Sequence, residues 1–419
     1  MSATAVTISG RADLDSYSMA WTSSRRRFQS SHPASQPTDL RTTTTITMAD
    51  SVPDTSYMQG KVVLLTGGTS GLGAAFVDAV CASATKPAKL VLVARSAEKL
   101  ARTTAQLEAA GIAVAGHMAD LQKPKQILAA IRSIVATEPK LHVACLNAGV
   151  WDTYNKTRQV QEDGCVEKAL LLLLLLLRPC AAATTTITLP LLIATPHLLP
   201  RRYERHFVAN FLQMVLFVEG LKELMGTTAA GKTDGARIVA MGSFTSMQAA
   251  KGVLDFEHLH SIEGQNDKMG GCGYVYVQTK LMQHGWVKAA HEDMPPGVSL
   301  NITCPGAAPS SIPAWEDIKR KMACAWGTMF WLAGFRSLEV GIQPMLHMCG
   351  SPAVAGLSGK FCDWGIFNKL VKREPVDCEF YPTQGKKAAP TTADPAQVQR
   401  LKDVTAKIVV EMQGKYGSE

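Results

Sequence analysis

The sequence predicts an α/β protein: a doubly wound parallel sheet in a single domain, interrupted once by a low-complexity insertion. Two observations carry that expectation. Short apolar runs rich in Val and Leu alternate with stretches of helical length, which is the pattern of βαβ units. A glycine-rich turn follows the first of these runs directly. With 419 residues, 46% of them hydrophobic, the chain can build one large core or two ordinary ones.

Residues 1–58 stand apart. They are rich in Ser and Thr ("TSSRRRFQSSHPASQ", "RTTTTIT") and lack apolar periodicity, so the composition predicts a disordered tail. The Arg cluster among Ser and Gln suggests an organelle transit peptide, but Asp13, Asp15 and Asp39 are acids that such peptides avoid. Met48 offers a later start.

From Lys61 the texture changes, and the domain is placed at 59–415. "KVVLLTG", "KLVLVAR", "IAVAGHMAD" and "LHVACLNAG" are candidate buried strands, separated by the helical stretches "SAEKLARTTAQLEAAG" and "LQKPKQILAAIRSIVAT". "ARIVAMGS", "GVSLNITCPG" and "LSGKFCDWG" continue the series, and "DPAQVQRLKDVTAKIV" closes it with a helix.

The interruption spans 169–205, with eight consecutive leucines, a Thr tract, Pro190 and Pro196. The leucine run is far shorter than the roughly 20 apolar residues that cross a bilayer. Joining Lys168 directly to His206 gives "EDGCVEKHFVANFLQMVLF", a continuous amphipathic helix, so the segment reads as an insertion. A membrane-binding hairpin is the alternative.

The bulk chemistry excludes several classes. The net charge is +8, yet basic residues cluster only in "SSRRRFQSS", which argues against nucleic acid as a partner. The ten cysteines form no Cys-x-x-Cys pair, so no metal site is expected and an intracellular protein with reduced thiols is.

"LLTGGTSGLGAAF" places Gly67, Gly71 and Gly73 between the first strand and the next helix. Glycines there allow a tight turn and a close backbone approach to a pyrophosphate, which the helix N-terminus holds through its amides and partial positive charge. At the end of the second strand stand Ala94 and Arg95 in place of an acid. An acid would bind the 2′-hydroxyl of NAD, whereas an Arg accommodates the 2′-phosphate of NADP. The expected cofactor is therefore NADP(H).

"GYVYVQTKLM" carries two tyrosines and one lysine. Tyr276 and Lys280 are four apart and share a helix face, whereas Tyr274 has Gln278 at that spacing. A phenol needs a nearby positive charge to serve as an acid–base group at neutral pH, which singles out Tyr276.

With "TGGTSGLG", "NAG" at 147–149 and the Tyr276/Lys280 pair in that order, the chain resembles the short-chain dehydrogenase/reductase family from about Lys61 to Val410. The longer loop before Tyr276 and the C-terminal part resemble its retinol-dehydrogenase-like branch. The resemblance implies a Rossmann-type fold with Gly67, Ser70, Gly71, Leu72 and Gly73 at the cofactor phosphates. It implies Asp120 and Leu121 at the adenine, with Asn147 and Gly149 in contact with the cofactor. Leu146 replaces the first asparagine of the family's Asn-Asn-Ala-Gly. The implied catalytic set is Asn210, Ser243, Tyr276 and Lys280, with Gly242 where the family has a first serine. Tyr276 and Lys280 would also touch the cofactor, as would Pro305, Gly306 and Ser310. Asn210 would anchor a water relaying protons to Lys280.

The activity implied is interconversion of a hydrophobic alcohol with its ketone or aldehyde. The substrate pocket is expected between the 244–272 loop and an aromatic segment holding Trp315, Trp326, Phe330 and Trp331. A homodimer in the cytoplasm is expected, with a mitochondrion or plastid as the alternative compartment. Two other functions fit the same motifs. One is a cofactor-binding scaffold whose catalysis the insertion has impaired, and the other is a protochlorophyllide-reductase-like enzyme.

Overall fold

The computed structural model describes residues 53–151, 160–161, 203–243, 245–246, 254, 271–306, 308, 337–363, 376–378 and 394–417. These residues lie in one compact unit, Met48–Glu419. Most of the tail, most of the insertion, nearly all of the loop before Tyr276, the aromatic segment and Ser310 lie outside the described residues.

Eight strands form one sheet in the order β10-β9-β8-β7-β4-β1-β2-β3. They are β1 Val62–Thr66, β2 Lys89–Ala94, β3 Ala113–Met118, β4 Val143–Leu146, β7 Ala236–Met241, β8 Val298–Thr303, β9 Phe361–Asp363 and β10 Val376–Cys378. All seven predicted strands form, and their pairings are parallel. Only β10 is antiparallel, at the edge. Two short strands, β5 Val160–Gln161 and β6 Tyr203–Glu204, make a separate antiparallel pair.

Alternate residues of each strand serve different cores, because successive side chains point to opposite faces. Leu64, Val91, Ala144, Ile238 and Leu300 face one layer. It is built from α3 (Pro124–Thr137), α4 (Gln213–Ala229), α5 (Gly271–Ala290) and α8 (Pro395–Tyr416). Leu65, Leu92, Cys145 and Val239 face the other, built from α1 (Gly71–Ala82), α2 (Ala97–Ala109) and α7 (Gln343–Gly350), with the one-turn α6 (Leu338–Gly341) beside α7. A sheet covered on both faces needs continuously apolar strands, and runs such as "VVLL" and "LVLVA" supply them.

Local signals set the helix ends. Pro124 opens α3, and Asp394 caps α8 by accepting from the backbone N–H of Ala396 at 2.9 Å. Both are standard starting chemistry. Among the described residues, no helix is long and apolar enough to cross a membrane.

Two boundaries differ from the sequence expectation. The tail was expected to be disordered to residue 58, yet Tyr57 and Met58 are buried in a short 3₁₀ turn. Tyr57 donates to the Gly235 carbonyl at 2.7 Å and lies 3.5 Å beneath the Arg237 guanidinium, so one aromatic side chain ties this stretch to the sheet. At the other boundary, Tyr203, Glu204 and Arg205 fall inside the span read as insertion but are packed into the fold. Tyr203 stacks on Phe207, and Glu204 is fully buried.

Candidate active site

The predicted motifs converge at the carboxyl ends of the parallel strands, where open α/β sheets bind their ligands. β1 leads into the glycine turn, β2 ends before Arg95, β4 before Asn147, β7 before Ser243 and β8 before Pro305.

In the glycine turn, Gly67 and Gly71 have φ of +70° and +56°, a region that disfavours side chains. Gly73 is required for a different reason. A Cβ there would sit 2.0 Å from the Gly67 carbonyl oxygen. The amide of Asn147 donates to the Thr66 carbonyl at 3.2 Å and lies 3.4 Å from that of Gly67, fastening the turn to β4. Ser70, the residue before α1, gives its N-terminus no side-chain cap, and the first turn holds no acid. That leaves the α1 amides and their partial positive charge for an anion, so the turn fits a dinucleotide pyrophosphate.

Arg95 is exposed directly beyond β2. Asp120 follows β3 and accepts from the Gln122 backbone at 3.1 Å, with Leu121 partly buried beside it. Leu72 and Pro305 meet at one point: a Cβ on Gly341 would lie 3.1 Å from the Leu72 side chain and 3.4 Å from the Pro305 carbonyl. Gly306 continues at φ +69°.

The structure brings together the four predicted catalytic residues. α5 carries Tyr276 and Lys280 one turn apart, both buried. The Lys280 ammonium lies 5.7 Å from the Tyr276 ring centre and donates to the Met241 carbonyl at 2.8 Å. A Cβ on Gly149 would lie 3.1 Å from Asn210 Oδ1 and 3.8 Å from Lys280 Nζ, so these three residues are neighbours. Asn210 sits in a π-helical turn, Phe207–Leu212, that leads into α4. Its side chain grips the backbone of Val150 at both ends, accepting from N–H at 2.7 Å and donating to C=O at 2.9 Å. Its own carbonyl accepts from Gln283 at 2.8 Å.

Ser243 stands near enough to the Tyr276 phenol to lower its pKa. Thr245 sets its direction. The Thr245 hydroxyl donates to Ser243 Oγ at 2.9 Å and the Thr245 backbone N–H at 3.2 Å. With two donors on its oxygen, Ser243 keeps its own proton to give.

Burial pushes the Tyr276 pKa up. Ser243 opposes this, and the nearby Cys304 thiol adds to it. Burial also drives the Lys280 ammonium down to about 7, within reach of proton exchange at neutral pH. His284, one turn beyond Lys280, is held neutral: burial, then repulsion by Lys280, lowers it to about 3. Its Nε2 faces the Ser243 backbone N–H at 3.5 Å. Trp151, two residues after Gly149, lies flat on Tyr276 with ring centres 4.9 Å apart and planes 12° apart. Among the described residues, no His/Cys/Asp/Glu group could hold a metal.

Sequence reasoning missed Thr245, His284 and Trp151. The helical spacing Tyr276–Lys280–His284 was a usable signal, whereas the other two depend on loop paths that spacing does not reveal.

Residues 61–170 match the family model described as short chain dehydrogenase. A short-chain dehydrogenase/reductase from Armillaria gallica is 26% identical over 342 residues, covering 80% of this chain and 90% of that one. These matches support the short-chain dehydrogenase/reductase family. Cis-2,3-dihydrobiphenyl-2,3-diol dehydrogenases from Metapseudomonas furukawaii and Pseudomonas putida are 37% and 38% identical over 95 residues, 23% of this chain. The match spans only about a third (32%) of the length of either enzyme. Among solved structures, L-sorbose reductase from Gluconobacter frateurii, complexed with NADPH and L-sorbose, is 18% identical. It covers 75% of this chain and all of its own, at a TM-score of 0.49.

Proposed function

We propose that this chain is an NADP(H)-dependent oxidoreductase that interconverts a hydrophobic alcohol and its ketone or aldehyde. The observation that carries this reading is the hydroxyl pair Ser243–Tyr276 with buried Lys280 one helical turn away, at the strand ends beside the uncapped N-terminus of α1. The retinol-dehydrogenase-like branch is the finer placement suggested by the long loop before Tyr276.

The glycine turn, with Ser70 and Leu72, would hold the cofactor's pyrophosphate. Arg95 would take its 2′-phosphate, and Asp120 and Leu121 would flank its adenine. Asn147, Gly149, Pro305 and Gly306 would line its nicotinamide half. Bound cofactor supplies or accepts the hydride. Ser243 donates to the substrate oxygen and stabilises negative charge developing there. Tyr276, its phenol kept protonated by burial, gives that oxygen a proton in reduction and recovers one in oxidation. Lys280 would hold the cofactor ribose and, titrating near neutrality, relay a proton from solvent to Tyr276 in reduction and back to solvent in oxidation. Asn210 fixes the loop that carries Val150 and Trp151.

The test is a spectrophotometric screen of NADPH, NADH and their oxidised forms against hydrophobic carbonyls and alcohols. Turnover that prefers NADP(H) is expected. Arg95→Asp should shift the preference towards NAD(H) by roughly ten- to a hundredfold, the worth of a charge-assisted bond. Tight NADPH binding without turnover of any carbonyl would replace this reading with a cofactor-binding scaffold.

A further inference from the structure

We propose that Trp151 is a specificity-determining residue. Its indole N–H donates to an oxygen on the carbon next to the reacting carbon, so the site prefers vicinal diols and hydroxyketones to simple alcohols and ketones. This rests on the oxidoreductase reading above.

Three features converge on it. The indole lies flat on Tyr276, the ring whose hydroxyl meets the reacting oxygen, with centres 4.9 Å apart. The indole nitrogen is buried and has no hydrogen-bond partner among the described residues. Buried donors are rarely left so, because such a group gives up its bonds to water and gains nothing in return. Nor can the residue easily turn away. Asn210 holds the preceding residue, Val150, through both its N–H and its C=O.

Position then defines the acceptor. Ser243 and Tyr276 address the reacting oxygen. The proposed role sets the indole N–H beside that oxygen, where it would reach a substituent on the adjacent carbon rather than the far end of a long substrate. A site built around such a donor discriminates against a substrate lacking the acceptor, which would leave the N–H unpaired again.

Trp151→Phe separates this role from packing, because Phe keeps a ring on Tyr276 but has no N–H. The full-length protein and this variant are assayed with NADP⁺ on cis-1,2-indanediol and on 1-indanol. Wild type should favour the diol in kcat/KM by about tenfold or more, and the variant should lose most of that preference. Equal kcat/KM for the two alcohols in wild type overturns the proposal, and needs no variant to fold. A proportional loss on both alcohols in the variant also overturns it, leaving Trp151 a packing residue. No turnover of these alcohols or of any member of the hydrophobic carbonyl and alcohol panel, with NADPH still bound, would sink the oxidoreductase reading and this proposal with it. Turnover of simple alcohols and carbonyls without preference for the diol would sink this proposal alone.

Discussion

The Cβ that Gly242 lacks would lie 2.5 Å from Nε2 of His284, a distance at which one of the two must move. A side chain at position 242 would contend with a buried imidazole from α5 for the same space. Ile302 closes the other side at 2.9 Å. One residue on, the same imidazole nitrogen faces the Ser243 backbone N–H at 3.5 Å. The glycine, the histidine and the serine therefore form one packing unit, and glycine at 242 answers a steric demand.

Gly242→Ser should destabilise the protein by about 1–3 kcal/mol, as overpacking of a filled core does. His284→Ala in the same chain should recover part of that loss, leaving the clash with Ile302. Thermal melts of the two single variants and the double variant measure the coupling. Strict additivity would mean that the two side chains do not compete for one space.

Tyr276→Phe should lower turnover by about 10²–10⁴-fold, the usual worth of a positioned acid–base group, while NADPH binding stays nearly intact. Thr245→Val should act more mildly. It removes one of two donors to Ser243 and loosens the serine hydroxyl, so kcat should fall by about tenfold or less. Steady-state kinetics beside a nucleotide fluorescence titration check both. A fully active Tyr276→Phe would exclude it as the proton donor.

Burial of Lys280 makes stability depend on pH in a definite sense. Its pKa falls from 10.5 to about 7 on folding, so between those values the unfolded chain binds more protons and stability rises with pH. Below about pH 7 the cost is present in full, at most about 5 kcal/mol from the size of the shift. Lys280→Met removes it, and should raise the melting temperature of cofactor-free protein at pH 6 while abolishing turnover. The gain should shrink towards nothing near pH 10.5. An equal gain at every pH would show that hydrophobic packing, and not the titration of Lys280, is responsible.

The fold was legible in the sequence because its strands are buried on both faces, which leaves unbroken apolar runs, and because Gly67, Gly71 and Gly73 answer local backbone demands. Tyr276 and Lys280 were legible through helical spacing. What the sequence hid depends on side chains meeting across elements. The role of Thr245 comes from a turn that folds it back on Ser243, and that of Trp151 from a loop held by Asn210, 59 positions further along the chain. Burial reversed one electrostatic expectation. Lys280 was to depress the Tyr276 pKa, but burial dominates both groups, and the lowering that opposes it at the phenol comes from Ser243. The tail and insertion boundaries were drawn from composition, which does not register that Tyr57, Tyr203 and Glu204 each carry buried contacts.

The span 169–205 can therefore be cut in two ways. Glu204 uses both carboxylate oxygens at the start of the π-helical turn. One accepts from the Phe207 backbone N–H at 2.8 Å, and the other bonds His206 Nδ1 at 2.8 Å. Arg205 bonds Gln122, while Tyr203 and Glu204 pair with Gln161 and Val160 across the β5–β6 ladder. Deleting 169–205 removes all of this immediately before the turn that carries Asn210. Losing the cap costs about 1 kcal/mol, and losing the buried Tyr203 ring about 3 kcal/mol or more. Deleting 169–202 keeps these contacts and leaves seven residues, 162–168, to close a hairpin between Gln161 and Tyr203. We expect the shorter deletion to retain turnover and to melt higher than the longer one, with Glu204→Ala in the full chain reproducing part of the difference. Equal melting temperatures for the two deletions would show that Tyr203–Arg205 contribute nothing to the fold. Loss of turnover in the 169–202 deletion, with melting unchanged, would instead make the leucine-rich segment part of the working enzyme.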